Sequence, residues 1–226
     1  MSHILDRPIW SALGTRHSAL AQGGALARRY LPSVSLFSAT GDDRPESLKA
    51  LRALASPGET LLVVQSTEAL VPDGMTAVSR ASLVQMLAAE PLPEIADPRV
   101  ELLGEEDAQA MLELATLTKP GPFTLGAQRF GSFWGIKQGG RLVAMAGERL
   151  KQPGYTELSG VCTHPDARGR GLGRLMSLYV AGKICTRGER VSLHSYATNT
   201  AAITLYGSIG FKLRSDMHVT ALTLTQ

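Results

Sequence analysis

Three glycines at alternate positions, in the run Arg168-Gly169-Arg170-Gly171-Leu172-Gly173-Arg174, are the residues whose spacing points most directly to chemistry. Lacking Cβ atoms, glycines let a loop curl until successive backbone N–H groups point one way. The apolar positions that follow (Leu175, Met176, Tyr179, Val180) predict a helix. Its N-terminus would add further unpaired N–H groups and the positive end of the helix dipole. Together these make an anion cradle, whose usual occupant is phosphate. It is not a Walker loop, because no Gly-Lys-Ser/Thr follows, and G-x-G-x-G is not the dinucleotide spacing G-x-G-x-x-G.

The elements that must position this loop are legible on both sides. An apolar, β-branched strand is expected from Glu157 through Val161 and Thr163, stopped by His164-Pro165. The predicted helix follows the glycines, and a second strand is expected at Val191–Tyr196. Asn199-Thr200-Ala201-Ala202-Ile203-Thr204-Leu205-Tyr206 then precedes Gly210-Phe211 and a last strand, Phe211–Leu224.

The order R-x-x-G-x-G after a strand, then N-x-x-A-x-x-x-Y and G-F about thirty residues later, resembles the GNAT superfamily of N-acetyltransferases. Val161-Cys162-Thr163-His164-Pro165 and Ala144-Met145-Ala146-Gly147-Glu148 are similar to its bacterial glycine-N-acyltransferase-like branch. The resemblance covers roughly residues 98–226. It implies a GNAT acyl-CoA N-acyltransferase fold there, with acetyl-CoA as acyl donor, a primary amine as acceptor, direct attack in a ternary complex and no metal. The cradle of Arg168, Gly169, Arg170, Gly171, Leu172, Gly173 and Arg174 would hold the pyrophosphate. Backbone groups of Val161, Cys162 and Thr163, with the side chain of Asn199, would hold pantetheine.

An amine with a pKa near ~10 attacks only after losing a proton, so the site needs a base. Glu157 is expected to fill that role, as a glutamate in this strand does in many relatives, acting through water; its alternative is an exposed strand-end carboxylate. His194 is the competing base and is chemically apt, with an unperturbed pKa of ~6.5; its alternative is a satisfied core histidine. Tyr206 would protonate the leaving thiolate or simply pack, and Asn199 could be only a helix cap. Cys162 and Cys185 form no C-x-x-C pair and read as half-buried core; the direct transfer that the resemblance implies does not need Cys162 as a nucleophile.

The chain has 226 residues, 44% of them hydrophobic, enough for one large domain or two small ones. No apolar run approaches the ~18–20 residues of a membrane span, and no secretory leader is visible, so a cytoplasmic location is expected. A net charge of +3 is too small to argue for nucleic acid. Residues 98–226 carry 15 Lys/Arg against 10 Asp/Glu, whereas residues 1–97 carry 8 against 10. Much of the excess, at Arg168, Arg170, Arg174, Lys183, Arg187 and Arg190, is expected around the cradle, where it would favour an anionic ligand.

The fold class expected is mixed α/β. Pro-rich residues 91–98 read as a linker between a smaller α/β unit (1–97) and the GNAT domain (98–226). The first unit carries no catalytic motif; it is a candidate degenerate copy of the same fold and a candidate wall of the acceptor site. Within it the pattern predicts a helix over 10–30, a strand over 34–38, a helix from Pro45, a strand over 60–65, and a strand at 75–78 leading into a helix from Ser79. His3 and His17 read as surface residues. Beyond the linker a strand at 100–103, a helix over 105–117, an irregular stretch over 123–132 and a hairpin turning at Gly139-Gly140 are expected. The acceptor alternatives are an amino acid or other small amine, and a protein N-terminus or lysine. A non-catalytic acyl-CoA-binding module is the alternative to an enzyme. Nothing in the sequence sets an oligomeric state.

Overall fold

Pro8 fixes the φ that suits a first helical turn and opens α1 (Pro8–Gly14), which buries Ile9, Ala12 and Leu13. The computed structural model describes residues 3–225. After α1 come β1 (Ala21–Gly23), β2 (Ala27–Tyr30) and β3 (Ser38–Thr40), then α2 (Pro45–Ala53), β4 (Leu61–Gln65) and β5 (Met75–Ala88). The second part holds β6 (Val100–Leu103), α3 (Ala108–Thr118), β7 (Phe133–Gln138), β8 (Arg141–Gln152) and β9 (Tyr155–Thr163). It ends with α4 (Leu172–Cys185), β10 (Arg190–Tyr196), α5 (Thr200–Ser208) and β11 (Phe211–Leu224).

The strands β1, β2 and β3 form a small antiparallel sheet. The remaining eight form one mixed sheet in the order β4-β11-β5-β10-β9-β8-β7-β6. This sheet runs across the linker: β5 lies between β10 and β11 and pairs antiparallel with both. The linker itself packs on α4, where the Leu92 N–H donates to Cys185 Sγ at 3.3 Å and Glu94 pairs with Lys183. Residues 1–97 therefore supply one interior strand, β5, and one edge strand, β4, of the large sheet as well as their own small one.

Three expectations in this first part are corrected. The helix expected from Ser79 is the second half of β5, whose ladder with β11 runs from Met75 to Ala88. Leu83, Met86 and Leu87 have a helical spacing, but in the strand Leu83 and Met86 enter opposite layers, and pairing on both edges outweighs that spacing. The helix over 10–30 stops at Gly14, and residues 21–30 turn back as a hairpin. The strand at 34–38 begins only at Ser38. His17 is also not a surface residue: it is 4% exposed, its Nδ1 lies 2.8 Å from the Tyr30 hydroxyl, and burial pulls its pKa down to about 4.

Packing on both faces fixes the frame. On one face Val143, Ala146 and Leu158 meet Met176, Val180 and Ile184 of α4. On the other, Met145 and Cys162 meet Met111, Leu114 and Ala115 of α3. Strand alternation sends neighbouring residues of β8 to opposite layers, which is why α3 and α4 sandwich the sheet. No helix among the described residues is long and apolar enough to cross a membrane.

Candidate active site

The glycine-rich stretch folds as its spacing dictates. Gly169 and Gly171 adopt φ of 75° and 72°, the left-handed region in which a side chain is strained. Gly171 is the N-cap of α4 and offers no side-chain acceptor. Consequently none of the backbone N–H groups of residues 169–174 has an acceptor among the described residues; the first helical bond is Leu175 N–H to the Gly171 carbonyl, 3.0 Å. A Cβ built on Gly169 or Gly171 would meet nothing within 4 Å, so nothing crowds the loop at these two residues. The geometry fits an anion bound by backbone donors at a helix N-terminus.

The surrounding basic residues divide. Arg168, Arg170 and Arg174 are exposed beside the loop. Lys183 and Arg187 lie at the far end of the 14-residue α4, paired with Glu94 and Glu148, and Arg190 starts β10 against the Tyr155 ring. At ~1.5 Å rise per residue that end is ~20 Å away, so only the first three arginines belong to the cradle.

Beside the loop the sheet opens. The parallel strands β9 and β10 pair only at Arg190–Tyr155, Val191–Thr156 and Ser192–Glu157, and separate beyond. In β9 a register irregularity against β8 spans residues 159–162, where Gly160 has φ 63°. From Leu158 onward the β10-side edge of β9 has no strand partner, and an extended chain segment could lie along it. A cavity of ≈ 250 Å³ fills the gap. Leu158, Gly160, Val161, His194, Asn199 and Tyr206 line it from the second part of the chain, and Phe37, Leu62, Val64 and Leu83 from the first.

Glu157 lies inside β9 rather than at a strand end, and is 1% exposed. Arg149 of β8 holds it as a fork, Nε to Oε2 at 2.9 Å and Nη2 to Oε1 at 2.6 Å. The Leu150 N–H and His194 Nδ1 complete its shell, at 3.3 and 2.7 Å. Burial opposes the charge, but Arg149 and His194 more than offset it and hold the carboxyl well below the usual carboxylate range. Glu157 does not line the cavity, whereas His194 and Arg149 do. Arg149 also lies 5.1 Å from the Phe37 ring.

Asn199 caps α5, its Oδ1 accepting from the Ala202 N–H at 3.2 Å, and still lines the cavity. Seven residues on, Tyr206 faces the same space, as ~100° per residue requires. Its hydroxyl has no hydrogen bond among the described residues, and burial raises its pKa to about 12. Cys162 points into the layer under α3, where burial pushes its thiol up to about 11, unsuited to a nucleophile. Two residues beside this site escaped the sequence reading: Arg149, which lines the cavity, and Gln85, which is buried behind His194. Arg149 could have been noticed as one of two adjacent charges, with Glu148, in the otherwise apolar run Leu142–Leu150, and Gln85 as the one amide in Leu83–Leu87.

A parallel strand pair thus opens beside a glycine-rich helix N-terminus. The family model described as FR47-like protein matches residues 133–219. A GNAT-family acetyltransferase structure from Novosphingobium aromaticivorans is 39% identical, with TM-score 0.94 and 100% of both chains covered. A GCN5-related N-acetyltransferase from Kribbella flavida is 18% identical, with TM-score 0.65 over 97% of this chain and 96% of that one, and shares the fold. A GCN5-related N-acetyltransferase-like protein from Streptococcus suis is 16% identical, with TM-score 0.57 over 96% and 92%. No curated protein matches. The chain belongs to the GNAT family of acetyltransferases, whose fold supports acyl transfer from acyl-CoA to an amine.

Proposed function

We propose that this protein transfers an acetyl group from acetyl-CoA to the primary amine of a small molecule that also carries an anionic group, an amino acid being the simplest such class. The observation that carries this reading is the cavity wall. Its charged residues are Arg80, Lys119 and Arg149, and no carboxylate lines it. Arg149 is offset by Glu157 and Arg80 is paired with Glu68, but Lys119, held at φ 52° beyond α3, has no ion pair among the described residues. Such a wall disfavours a bare cation and favours a negative group remote from the amine. The glycine-N-acyltransferase-like resemblance agrees with this class.

Acetyl-CoA would supply the thioester carbonyl. Residues 169–174 would bind its pyrophosphate through their N–H groups, and the free edge of β9 with Asn199 would align pantetheine. His194 is the proton acceptor in this proposal, because it is the imidazole that lines the cavity; Glu157 accepts its Nδ1–H and stabilises the charged ring, as a carboxylate does behind a catalytic histidine. Tyr206, un-ionised at neutral pH, would donate to the departing sulfur. Residues 1–97 would shape the acceptor end through Phe37, Leu62, Val64 and Leu83.

A thiol-release screen across amines tests the assignment. Amino acids should outrun their decarboxylated analogues by ~10-fold or more in kcat/KM, and His194→Gln should lower kcat by ~10²-fold or more. Equal rates for an amino acid and its decarboxylated analogue would remove the anionic requirement. Tight acetyl-CoA binding without thiol release from any amine would make the protein a binding module.

A further inference from the structure

Gln85, an interior β5 residue with 0% exposure, joins the histidine to the first part of the chain. Its Oε1 lies 2.7 Å from Arg214 Nη1, and its Nε2 lies 3.0 Å from the Leu5 carbonyl oxygen. A guanidinium only donates and a carbonyl only accepts, so these contacts fix which end of the amide is oxygen and which nitrogen. The same Nε2 lies 2.8 Å from His194 Nε2. An amide nitrogen cannot accept, so the ring nitrogen must. That places the ring proton on Nδ1, where the Glu157 carboxylate accepts it at 2.7 Å.

We propose that Gln85 is a positioning residue that holds His194 as the neutral, Nδ1-protonated tautomer with its Nε2 lone pair reserved. Only the catalytic consequence rests on His194 being the proton acceptor; the tautomer does not. The amide cannot simply turn over to accommodate a protonated Nε2. Rotation would aim its NH2 at Arg214 and its oxygen at the Leu5 carbonyl, exchanging two good contacts for two repulsive ones. When a proton moves from an amine nitrogen to Nε2, the new N–H must displace the Gln85 N–H from that lone pair. A residue of the first ninety thus governs proton uptake at a ring carried on β10. The charged groups around the ring are Glu157 from β9 and Arg149 from β8 behind it, with Arg214 from β11 and its partner Asp6 behind Gln85. Tyr30 and the neutral His17 stand beyond Glu157.

The test is imidazole ¹⁵N NMR of the full chain with a kcat/KM pH profile. In the wild type His194 should show Nδ1 protonated and Nε2 bare near neutral pH. In Gln85→Glu the facing carboxylate should bring a proton onto Nε2, and the acidic limb of the profile should move up by about one pH unit or more. Gln85→Leu, which removes the donor without adding charge, should move the limb in the same direction by less. A wild-type ring protonated at Nε2 overturns the proposal whether or not either variant folds. So does an acidic limb that stays in place in a folded Gln85→Glu. If the tautomer is as expected but His194→Gln retains full kcat, the positioning stands and the base assignment alone falls.

Discussion

At the cradle end of the cleft the functional groups belong to one continuous stretch, the backbone N–H groups of residues 169–174 with the exposed side chains of Arg168, Arg170 and Arg174. At the His194 end the functional atoms lie on buried or half-buried groups delivered by four strands and the N-terminal turn: Gln85 of β5, Arg149 of β8, Glu157 of β9, His194 of β10 and the Leu5 carbonyl. The first arrangement costs the fold little, since exposed N–H groups are solvated when no anion is bound. The second puts a guanidinium and a carboxylate out of water, which is tolerable only while each keeps its partners. Anion binding is therefore locally encoded and separable from stability, whereas the proton-handling end cannot be altered without touching the core.

The largest expected effect breaks the second region outright. A chain of residues 98–226 lacks β4 and β5, leaving β10 and β11 without the strand that joins them. It should fail to give cooperative unfolding or soluble monodisperse protein; a folded fragment with wild-type turnover would show that residues 1–97 are an independent unit. Next in size is Arg149→Met, which strands the Glu157 carboxylate. Stability to urea should fall by about 3–5 kcal/mol at pH 7. The sign with pH is set by Glu157. Its folded pKa is depressed below the unfolded value of ~4.3, so in the wild type its contribution is present above that pH and lost as pH falls. In the variant the unpaired carboxylate is the liability, so the deficit should shrink as the pH drops below ~4.5. A deficit independent of pH would mean that Arg149 acts only through packing, for instance on Phe37.

The cradle should respond in the opposite way. Gly171→Val places a β-branched side chain at φ 72°, a strain of order 1–3 kcal/mol that should shift the loop and its N–H groups. Acetyl-CoA affinity measured by calorimetry should fall by ~10-fold or more while far-UV circular dichroism is unchanged. Unaltered affinity in a folded variant would remove the loop from the binding site. The smallest effect is expected for Tyr206→Phe, which keeps the ring packed against Phe211 and removes one hydroxyl. Folding and acetyl-CoA binding should be retained, and kcat should drop by ~10-fold, since a thiolate with a pKa near ~8.5 leaves without much help. A kcat unchanged across pH 6–9, with chemistry rate-limiting, would leave Tyr206 a packing residue.

The same contrast explains which features were legible in the chain and which were not. The loop, α4, the Asn199 cap and the Tyr206 face follow from spacings of a few residues. The strands β6 to β11 are bounded by turns and glycines that act locally. Glu157 and His194 were both visible as candidates, yet their joint arrangement was not, because Arg149 and Gln85 reach them from eight and 109 positions away. The misread region, residues 79–88, ends in a near-continuous apolar run, Leu83–Ala88, broken only by Gln85, which helix and doubly buried strand can both carry. Only its two neighbours in the sheet, β10 and β11, decide between them. The linker likewise suggested a boundary by composition, while the sheet passes across it.

By itself, then, the sequence determined everything set by short-range sterics and periodicity: the glycine curl, the helix N-terminus behind it, the capped α5 and a mixed α/β fold of the GNAT family. The tertiary structure decided which part of the chain completes the sheet, where the cleft opens and what surrounds the ionisable groups. The reason is that charges and amides out of water take their state from partners within ~3 Å, and those partners are distant in sequence and adjacent only after folding.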